Sequence, residues 1–443
     1  MNKISFLATA FIWCLASVVS AQEEPEVYTL KRCLEIGLEN NYSIRLVKID
    51  QQVSDNNATP ANAGLLPALD LTGGYNGDLG TTRTEARDTG MRTKEGAAYD
   101  QGVNVNLGLN WTLFDGFNLI TNYKQLQLLK QQGELNTRIA VEDFIAALAS
   151  EYYNFIQQKI RLKNFHYAMM LSKERMRIVE ERFHIGNFSR LDYQQAKVDF
   201  NADSAQYMKQ QEALATSKIK LNELMSNEDV NRWLIIRDTL INVNPDFVYA
   251  DLWKSTLLTN ASLLRADQNT RLSEMALKKV LSRNYPYVKL NAGYGYSYNR
   301  YGLTSTRMRD NWGLNAGLTV GINLFDGAKK AERANARLEI ENTKLVREQL
   351  ELSLKADMSN LWQSYQNNLQ MLQLERQNLV TARENYEIAH ERYMLGDLSG
   401  FEMREAQKSL LDAEERLLSA EYNTKMCEIS LLQLSGNIMT YLN

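Results

Sequence analysis

Four segments of the chain alternate apolar residues with small or polar ones, at 66–76, 103–113, 288–298 and 314–324. Because successive side chains of a β-strand point to opposite faces, this period of two predicts strands with one apolar and one polar face. Each segment has about eleven residues, which matches the ~9–11 residues of a tilted strand that crosses a lipid bilayer. In the second segment the polar face comprises Asn104, Asn106, Gly108, Asn110 and Thr112.

Most of the remaining chain repeats apolar residues at i, i+3 and i+4, the spacing of packed amphipathic helices. No proline, a strong helix breaker, occurs in 117–244 or in 287–443. The pattern predicts two long helices of ~105 Å, two shorter helices that return from them, and helices that lead into the strands. These helices are expected at 117–185 and 328–395, at 188–224 and 398–434, and at about 28–65 and 249–285.

The chain contains the same unit twice, because its landmarks recur in the same order. Pro67 and Pro286 precede equivalent strands, and the tetrapeptide LFDG follows the second strand of each pair. The stretch ERFHIGNFSRLD then matches ERYMLGDLSGFE at equivalent places. This internal two-fold sequence repeat divides the chain into a first repeat, 22–226, a connecting segment, 227–248, and a second repeat, 249–443.

Each LFDG tetrapeptide is expected to work in the same way. Its leucine ends the strand, its carboxylate accepts hydrogen bonds from free N–H groups at the start of the long helix, and its glycine permits a sharp change of direction. These residues are Leu113, Asp115 and Gly116 in the first copy and Leu324, Asp326 and Gly327 in the second.

Residues 1–21 have the features of a secretory signal peptide: a lysine near the start, an apolar core and small residues at 19–21. We expect cleavage after Ala21. No later run of ~20 apolar residues occurs, so the sequence predicts no transmembrane helix. The net charge of −3 gives no indication of nucleic acid binding. Cys33 and Cys427 remain after cleavage, and both a disulfide and two small buried residues stay open.

Four strands cannot close a barrel alone. In lipid each unpaired backbone group at an open edge costs several kcal/mol, so strands in a membrane require several chains to share one barrel. Two chains give eight strands, whose interior side chains fill, whereas three chains give twelve strands and a water-filled lumen. The sequence therefore predicts a homotrimer. The alternative is a soluble sheet, which needs another layer of structure to cover its apolar faces.

In its LFDG turns, strand entries and hairpin tips, the mature chain resembles the TolC family of outer-membrane efflux proteins, whose tips carry an R-Y-x-x-G-x-x-[ST] pattern. The resemblance implies a mixed membrane α+β fold. A trimeric 12-stranded outer-membrane β-barrel, with four strands per chain, is continuous with a long periplasmic α-helical coiled-coil barrel. It also implies a passive exit duct of a tripartite efflux or type I secretion system. The partners are then a periplasmic adaptor protein, an inner-membrane pump and outer-membrane lipid, and the cargo stays open.

The same resemblance implies that adaptor hairpins engage the two tip turns. Glycine permits the chain reversal there, and the small and apolar neighbours leave a docking surface, although plain turn chemistry accounts for the same residues. The candidate docking residues are Arg182, Gly186, Phe188 and Ser189 in the first copy and Arg392, Gly396, Leu398 and Ser399 in the second.

A second candidate site follows the second tip. Glu402 and Glu405 lie at i, i+3 on one helix face and match positions where the family carries aspartates that line the periplasmic entrance. In a trimer they form carboxylate rings, which favour cations, and Arg404 is placed to form an inter-chain ion pair. Asp192 is the matching carboxylate of the first copy. The alternative is an ordinary solvated helix face.

The sequence predicts no enzyme, cofactor or metal site. The three histidines, His166, His184 and His390, lie apart, and neither a phosphate-binding glycine loop nor a G-x-S-x-G or paired-cysteine motif occurs. The alternative function is a periplasmic coiled-coil adaptor or structural interaction protein without its own pore. An autonomous porin is disfavoured because it does not need the long helices.

Overall fold

The computed structural model describes residues 27–85, 92–186, 188–236, 238, 240–302 and 307–442, and the predicted signal peptide lies outside them. Helices and strands follow one another in the same order in both halves of the described chain. The first half contains α1 (Leu30–Asn40), α2 (Tyr42–Asn57), β1 (Ala68–Glu85), β2 (Arg92–Asp115), α3 (Asn118–His184) and α4 (Arg190–Leu224). The second contains α5 (Tyr249–Thr259), α6 (Ala261–Ser282), β3 (Tyr287–Arg300), β4 (Met308–Gly321), α7 (Ala328–Leu395) and α8 (Gly400–Leu434), and a short 3₁₀ helix, Ile438–Leu442, follows.

The leading helices differ from the prediction, because each is broken in two by an asparagine. The side-chain oxygen of Asn41 accepts hydrogen bonds from the backbone N–H groups of Ser43 at 2.9 Å and Ile44 at 3.3 Å. Asn260 caps α6 in the same way. An asparagine that satisfies the free N–H groups of a helix start favours a new helix at that point. Neither glycine nor proline occurs at these breaks, and the apolar periodicity alone did not predict them.

The four strands form one antiparallel sheet in the order β1-β2-β3-β4. The register aligns the two kinds of residue into continuous faces. One cross-strand row is apolar, and the next row is small and polar, so the sheet has an apolar face and a polar face. The apolar row comprises Leu71, Leu107, Tyr294 and Leu314, and the polar row comprises Thr72, Asn106, Gly295 and Gly313.

β1 and β2 are longer than the alternating segments that predicted them, at 18 and 24 residues. Their ladder continues beyond the alternation, through pairs such as Leu79 with Tyr99. Backbone hydrogen bonds hold a ladder together whatever the side chains are, which explains why alternation underestimates its length. On β4 the apolar residues are strongly exposed, with Leu314 at 79% and Val320 at 64%.

The described chain divides into two compact units. The first consists of the residues up to Ile44, Val141–Thr256 and Asp357–Asn443. The second consists of Arg45–Ala140 and Leu257–Ala356 and includes the sheet. Among the described residues, no helix is both long enough and apolar enough to cross a membrane.

In the first unit, two fully buried tyrosines fix the segment between the repeats. The hydroxyl of Tyr152 on α3 donates a hydrogen bond to Asp238 Oδ2 at 2.6 Å, and burial is the first cause that raises its pKa. The hydroxyl of Tyr365 on α7 donates to the backbone oxygen of Asn244. Buried hydroxyls need such partners, so the two long helices hold this segment through them.

Neither Cys33 nor Cys427 forms a disulfide in this unit. Cys33 is buried, and Sγ of Cys427 accepts a hydrogen bond from Asn368 Nδ2 at 3.4 Å. Of the two readings left open by the sequence, the structure therefore favours small packed residues over a disulfide.

In the second unit, both LFDG aspartates accept the expected hydrogen bonds. Asp115 Oδ1 accepts from the Leu119 N–H and Asp326 Oδ1 from the Ala328 N–H, both at 3.0 Å. The two copies differ otherwise. Of the two LFDG glycines, Gly116 has a left-handed backbone, with φ of 68°, and Gly327 does not. Leu324 lies beyond Gly321, the last residue of β4, so the expectation that it ends the strand was wrong.

Gly116→Ala is expected to destabilise the protein, whereas Gly327→Ala is not. A Cβ at residue 116 would lie 2.2 Å from the backbone oxygen of Ser282, in addition to the unfavourable φ. We expect a loss of about 2 kcal/mol or more at residue 116 and a change within about 0.5 kcal/mol at residue 327. Thermal unfolding of the two variants in detergent, followed by circular dichroism, makes the comparison. Equal melting temperatures would contradict this account of the turn.

Candidate functional site at the hairpin tips

Each tip is a turn between a long helix and its returning helix, in the first compact unit. Gly186 and Gly396 occupy the turns with φ of 83° and 90°. A Cβ at either position would have no neighbour within 4 Å. Glycine is therefore favoured there by backbone conformation and not by close packing. This accounts for the predicted role of glycine in the reversal.

The returning helices begin with identical capping boxes. Ser189 Oγ accepts from the Asp192 N–H at 3.2 Å, and Asp192 Oδ2 accepts from the Ser189 N–H at 3.0 Å. Ser399 and Glu402 repeat these two hydrogen bonds at the same distances. The reciprocal arrangement satisfies free N–H groups at both helix starts. Two of the predicted gate residues, Asp192 and Glu402, thus have a structural partner in the chain.

The capping hydrogen bonds also set the charge of Glu402. The Ser399 hydroxyl donates to its carboxylate and has the largest effect in lowering its pKa. The Ser399 N–H also donates and lowers the pKa, and the charge of Arg392 adds a smaller effect. Glu402 therefore stays ionised at neutral pH. Glu405, one turn further along α8, is exposed and has no hydrogen bond or ion pair within the described chain. It is the free carboxylate of the predicted set.

Arg404, for which an inter-chain ion pair was predicted, forms an ion pair within its own chain. Its guanidinium donates to both carboxylate oxygens of Asp203 on α4, at 2.6 and 2.8 Å. These hydrogen bonds are the first cause that raises the pKa of Arg404. The two residues are 201 positions apart, and no local spacing connects them. Packing of the hairpins brings the Arg404 side chain to Asp203 on α4. It therefore does not share the helix face that carries Glu402.

A buried polar network, which no sequence pattern predicted, surrounds this pair. Ser172 on α3 donates to Asp203, and Gln407 Nε2 donates to Ser172 Oγ at 3.2 Å. Arg175 Nη2 donates to Asp199 at 2.6 Å. The network ties α3, α4 and α8 together. In the sequence, the network consists of polar residues at helical positions. Only the packing shows that these positions are buried and not exposed.

Arg182 connects the two tips of one chain. Its Nη2 donates to the backbone oxygen of Met394 at 3.2 Å. Its guanidinium carbon lies 5.5 Å from the ring centroid of Phe188 and 5.6 Å from that of Tyr393, within the range of cation–π attraction. The counterpart in the second copy, Arg392, is exposed and makes no hydrogen bond or ion pair within the described residues. The two predicted docking arginines therefore have different surroundings.

Leu398 is half-buried against an apolar cluster that includes Tyr393 and Met403. A cavity of about 410 Å³ lies beside this cluster, between α3, α4 and α8, and Phe188, Phe401 and Arg404 contribute to its wall. The tips therefore combine exposed carboxylates, arginines and apolar side chains. Such a surface suits contacts with a protein partner, and the described residues around it contain no group of three metal-ligating side chains.

Comparison with known proteins then decides the family. Residues 34–227 and 252–437 match the family model described as outer membrane efflux protein. This chain belongs to the outer membrane efflux protein family. It is 20% identical over 461 residues to the outer membrane protein TolC of Vibrio cholerae, a match that covers 99% of this chain and 96% of that protein.

Solved structures share the fold of this outer membrane efflux protein. The CmeC outer membrane channel of Campylobacter jejuni superposes with a TM-score of 0.74 at 17% identity, covering 92% of this chain and 85% of that one. A membrane protein from Pseudomonas aeruginosa gives a TM-score of 0.75 at 16% identity, covering 93% and 91%. The predicted family resemblance is confirmed.

Replacing Arg404 is expected to destabilise the efflux protein much more than replacing Arg177. Arg404→Met leaves the carboxylate of Asp203, whose side chain is 11% exposed, without its ion pair. Arg177→Met removes ion pairs that are more than half exposed. We expect losses of about 2 kcal/mol and less than about 0.5 kcal/mol. Thermal unfolding of both variants tests the difference, and similar melting temperatures would argue against a stabilising network.

Proposed function

We propose that this efflux protein is a passive exit duct built from three identical chains in the outer membrane of a Gram-negative-type cell envelope. The observation that carries the proposal is the sheet, which has an apolar face, a polar face and, within the described chain, no strand on the outer sides of β1 and β4. Pairing β4 of one chain with β1 of the next gives twelve strands without an open edge. The polar Asn- and Gly-rich face then lines a water-filled lumen.

The long helices support the same assembly. On α7, Leu338, Leu345 and Leu352 recur every seven residues and are all more than half exposed. Apolar residues at this spacing form the seam of a coiled coil, and exposed apolar stripes are usually covered by a partner. A second copy of the chain covers this stripe in the trimer, and the helices form the periplasmic domain.

The hairpin tips are the proposed docking surface for a periplasmic adaptor protein, which connects the duct to an inner-membrane pump. Leu191 and Phe401 occupy the second position of their returning helices and are 76% and 79% exposed. Large apolar residues exposed at both tips favour a protein contact there. Leu191 and Phe401 therefore belong to the proposed docking surface, together with the docking residues predicted from the sequence.

The proposed gate lies at the same end of the hairpins. Asp192, Glu402 and Glu405 supply its carboxylates. Asp192 and Glu402 belong to the two capping boxes, and Glu405 lies outside them. Repeated by threefold symmetry, these carboxylates form rings that attract cations, and a divalent cation bound between them blocks the entrance.

Single-channel conductance in planar bilayers tests this function. With a divalent cation in the buffer, the wild-type protein is expected to conduct weakly. Glu402→Ala/Glu405→Ala is expected to conduct several times more strongly, because the carboxylates that hold the blocking cation are lost. Two single variants separate charge from helix capping. Glu405→Ala removes a charge without touching the capping box, and Ser399→Ala breaks the box without removing a charge.

An increase in Glu405→Ala, with little change in Ser399→Ala, supports a charge-lined gate. Unchanged conductance in the double variant places the constriction elsewhere in the duct. No conductance from any variant, with a monomer in solution, would exclude the duct and favour the alternative, a coiled-coil adaptor without its own pore.

A further inference from the structure

A second cavity, of about 620 Å³, lies where the end of β2 and the start of β3 meet α3 and α6. All of its lining residues belong to the second compact unit. Its size is within the range of small-molecule sites, which is ~300–1,000 Å³. Three lining side chains are basic, Lys279, Arg283 and Lys289, and one is acidic, Asp115. The cavity is therefore cationic by composition.

The carboxylates near this wall are bound to groups other than its two lysines. Asp115 uses both carboxylate oxygens to bind the Leu119 N–H and the Asn118 side chain. Arg283 is the one lining cation with carboxylate partners, since it pairs with Asp326 and Glu332.

The two lysines have only weaker contacts. Lys279 Nζ donates to the amide oxygens of Asn122 at 3.2 Å and Gln125 at 3.3 Å. Lys289 Nζ lies 5.3 Å from the ring centroid of Tyr287. Neither lysine has a carboxylate partner among the described residues. Two like charges on one cavity wall favour a bound anion.

A third ammonium group adds to this positive potential. Lys329 is buried and donates to the backbone oxygen of Arg283 at 2.7 Å, and within the described chain it also lacks a carboxylate. Tyr285 and Tyr287, which are both exposed, complete the wall. Flat aromatic surfaces beside cations suit a ligand with an aromatic or other apolar part.

The internal repeat shows that the unit does not need these cations to fold. In the first copy Asp70 stands at the position of Lys289, and Gly64 stands at the position of Arg283. The site also does not depend on a neighbouring chain. Lys289 lies on β3, which pairs with Thr112 of β2 on one side and Thr319 of β4 on the other. The basic residues of the cavity thus come from the second copy, and residues of both copies form its wall.

We propose that this cavity binds an organic anion, a carboxylate or phosphate ester that carries an aromatic or similar apolar group. Lys279 and Lys289 bind the charged group, and Tyr285 and Tyr287 contact the apolar part. Lys289 and Thr112 lie on the polar face of the sheet, so in the exit duct the site faces the lumen. This last placement rests on the proposed function, whereas the binding chemistry does not.

Isothermal titration of the purified full-length protein in detergent, with 1-naphthyl phosphate as the probe, tests the site. We expect saturable binding that weakens as salt increases. Lys279→Gln and Lys289→Gln are each expected to weaken it about tenfold, because each removes a charged hydrogen-bond donor. Lys344→Gln, an exposed lysine of α7 outside the cavity, is the matched control and leaves binding unchanged.

Glutamine keeps a donor for Asn122 and Gln125, and Lys289 is exposed, so both variants are expected to fold. Their melting temperatures check this. Equal affinity of wild type and Lys289→Gln, or equal affinity for 1-naphthyl phosphate and uncharged 1-naphthol, would overturn the site. Single-channel recordings of the same preparation separate the two proposals. Probe binding without current retains the site and rejects the duct, and current without lysine-dependent binding does the reverse.

Discussion

The open edges of the four-stranded sheet are the constraint on which this account depends. A strand edge presents unpaired N–H and C=O groups, and in a bilayer no water is present to satisfy them. The exposed apolar residues of β4, such as Leu314 and Val320, suit lipid, and the Asn- and Gly-rich face suits water. Closing the edges with further copies of the chain satisfies the backbone and both faces together. The proposed trimer meets this requirement.

Duplication gives the chain two similar hairpins, and their differences carry the specific chemistry. Glycine turns and capping boxes are the same in both copies, because they are needed wherever a long helix reverses. Arg182 is packed between aromatic rings, whereas Arg392 is exposed. Lys289 replaces the aspartate of the first copy at the cationic cavity. We infer that the shared features keep the fold and that the divergent ones adapt each copy to its ligand or partner.

Local patterns predicted much of the fold, because they reflect local physics. Alternation located the four strands, and the LFDG aspartates accept the hydrogen bonds expected of them. The helix breaks at Asn41 and Asn260 were missed, since asparagine is also common inside loops and on helix surfaces. The ion pair of Arg404 with Asp203 was not predicted, because only three-dimensional packing brings the two residues together. Long-range ion pairs of this kind leave no spacing in the sequence.

The number of chains in the assembled protein tests the central claim most directly. Native mass spectrometry of the wild-type protein, released from detergent micelles under gentle activation, measures it. Three chains per particle is the result that a closed twelve-stranded barrel predicts. A stable single chain, with its sheet edges open, would contradict the account.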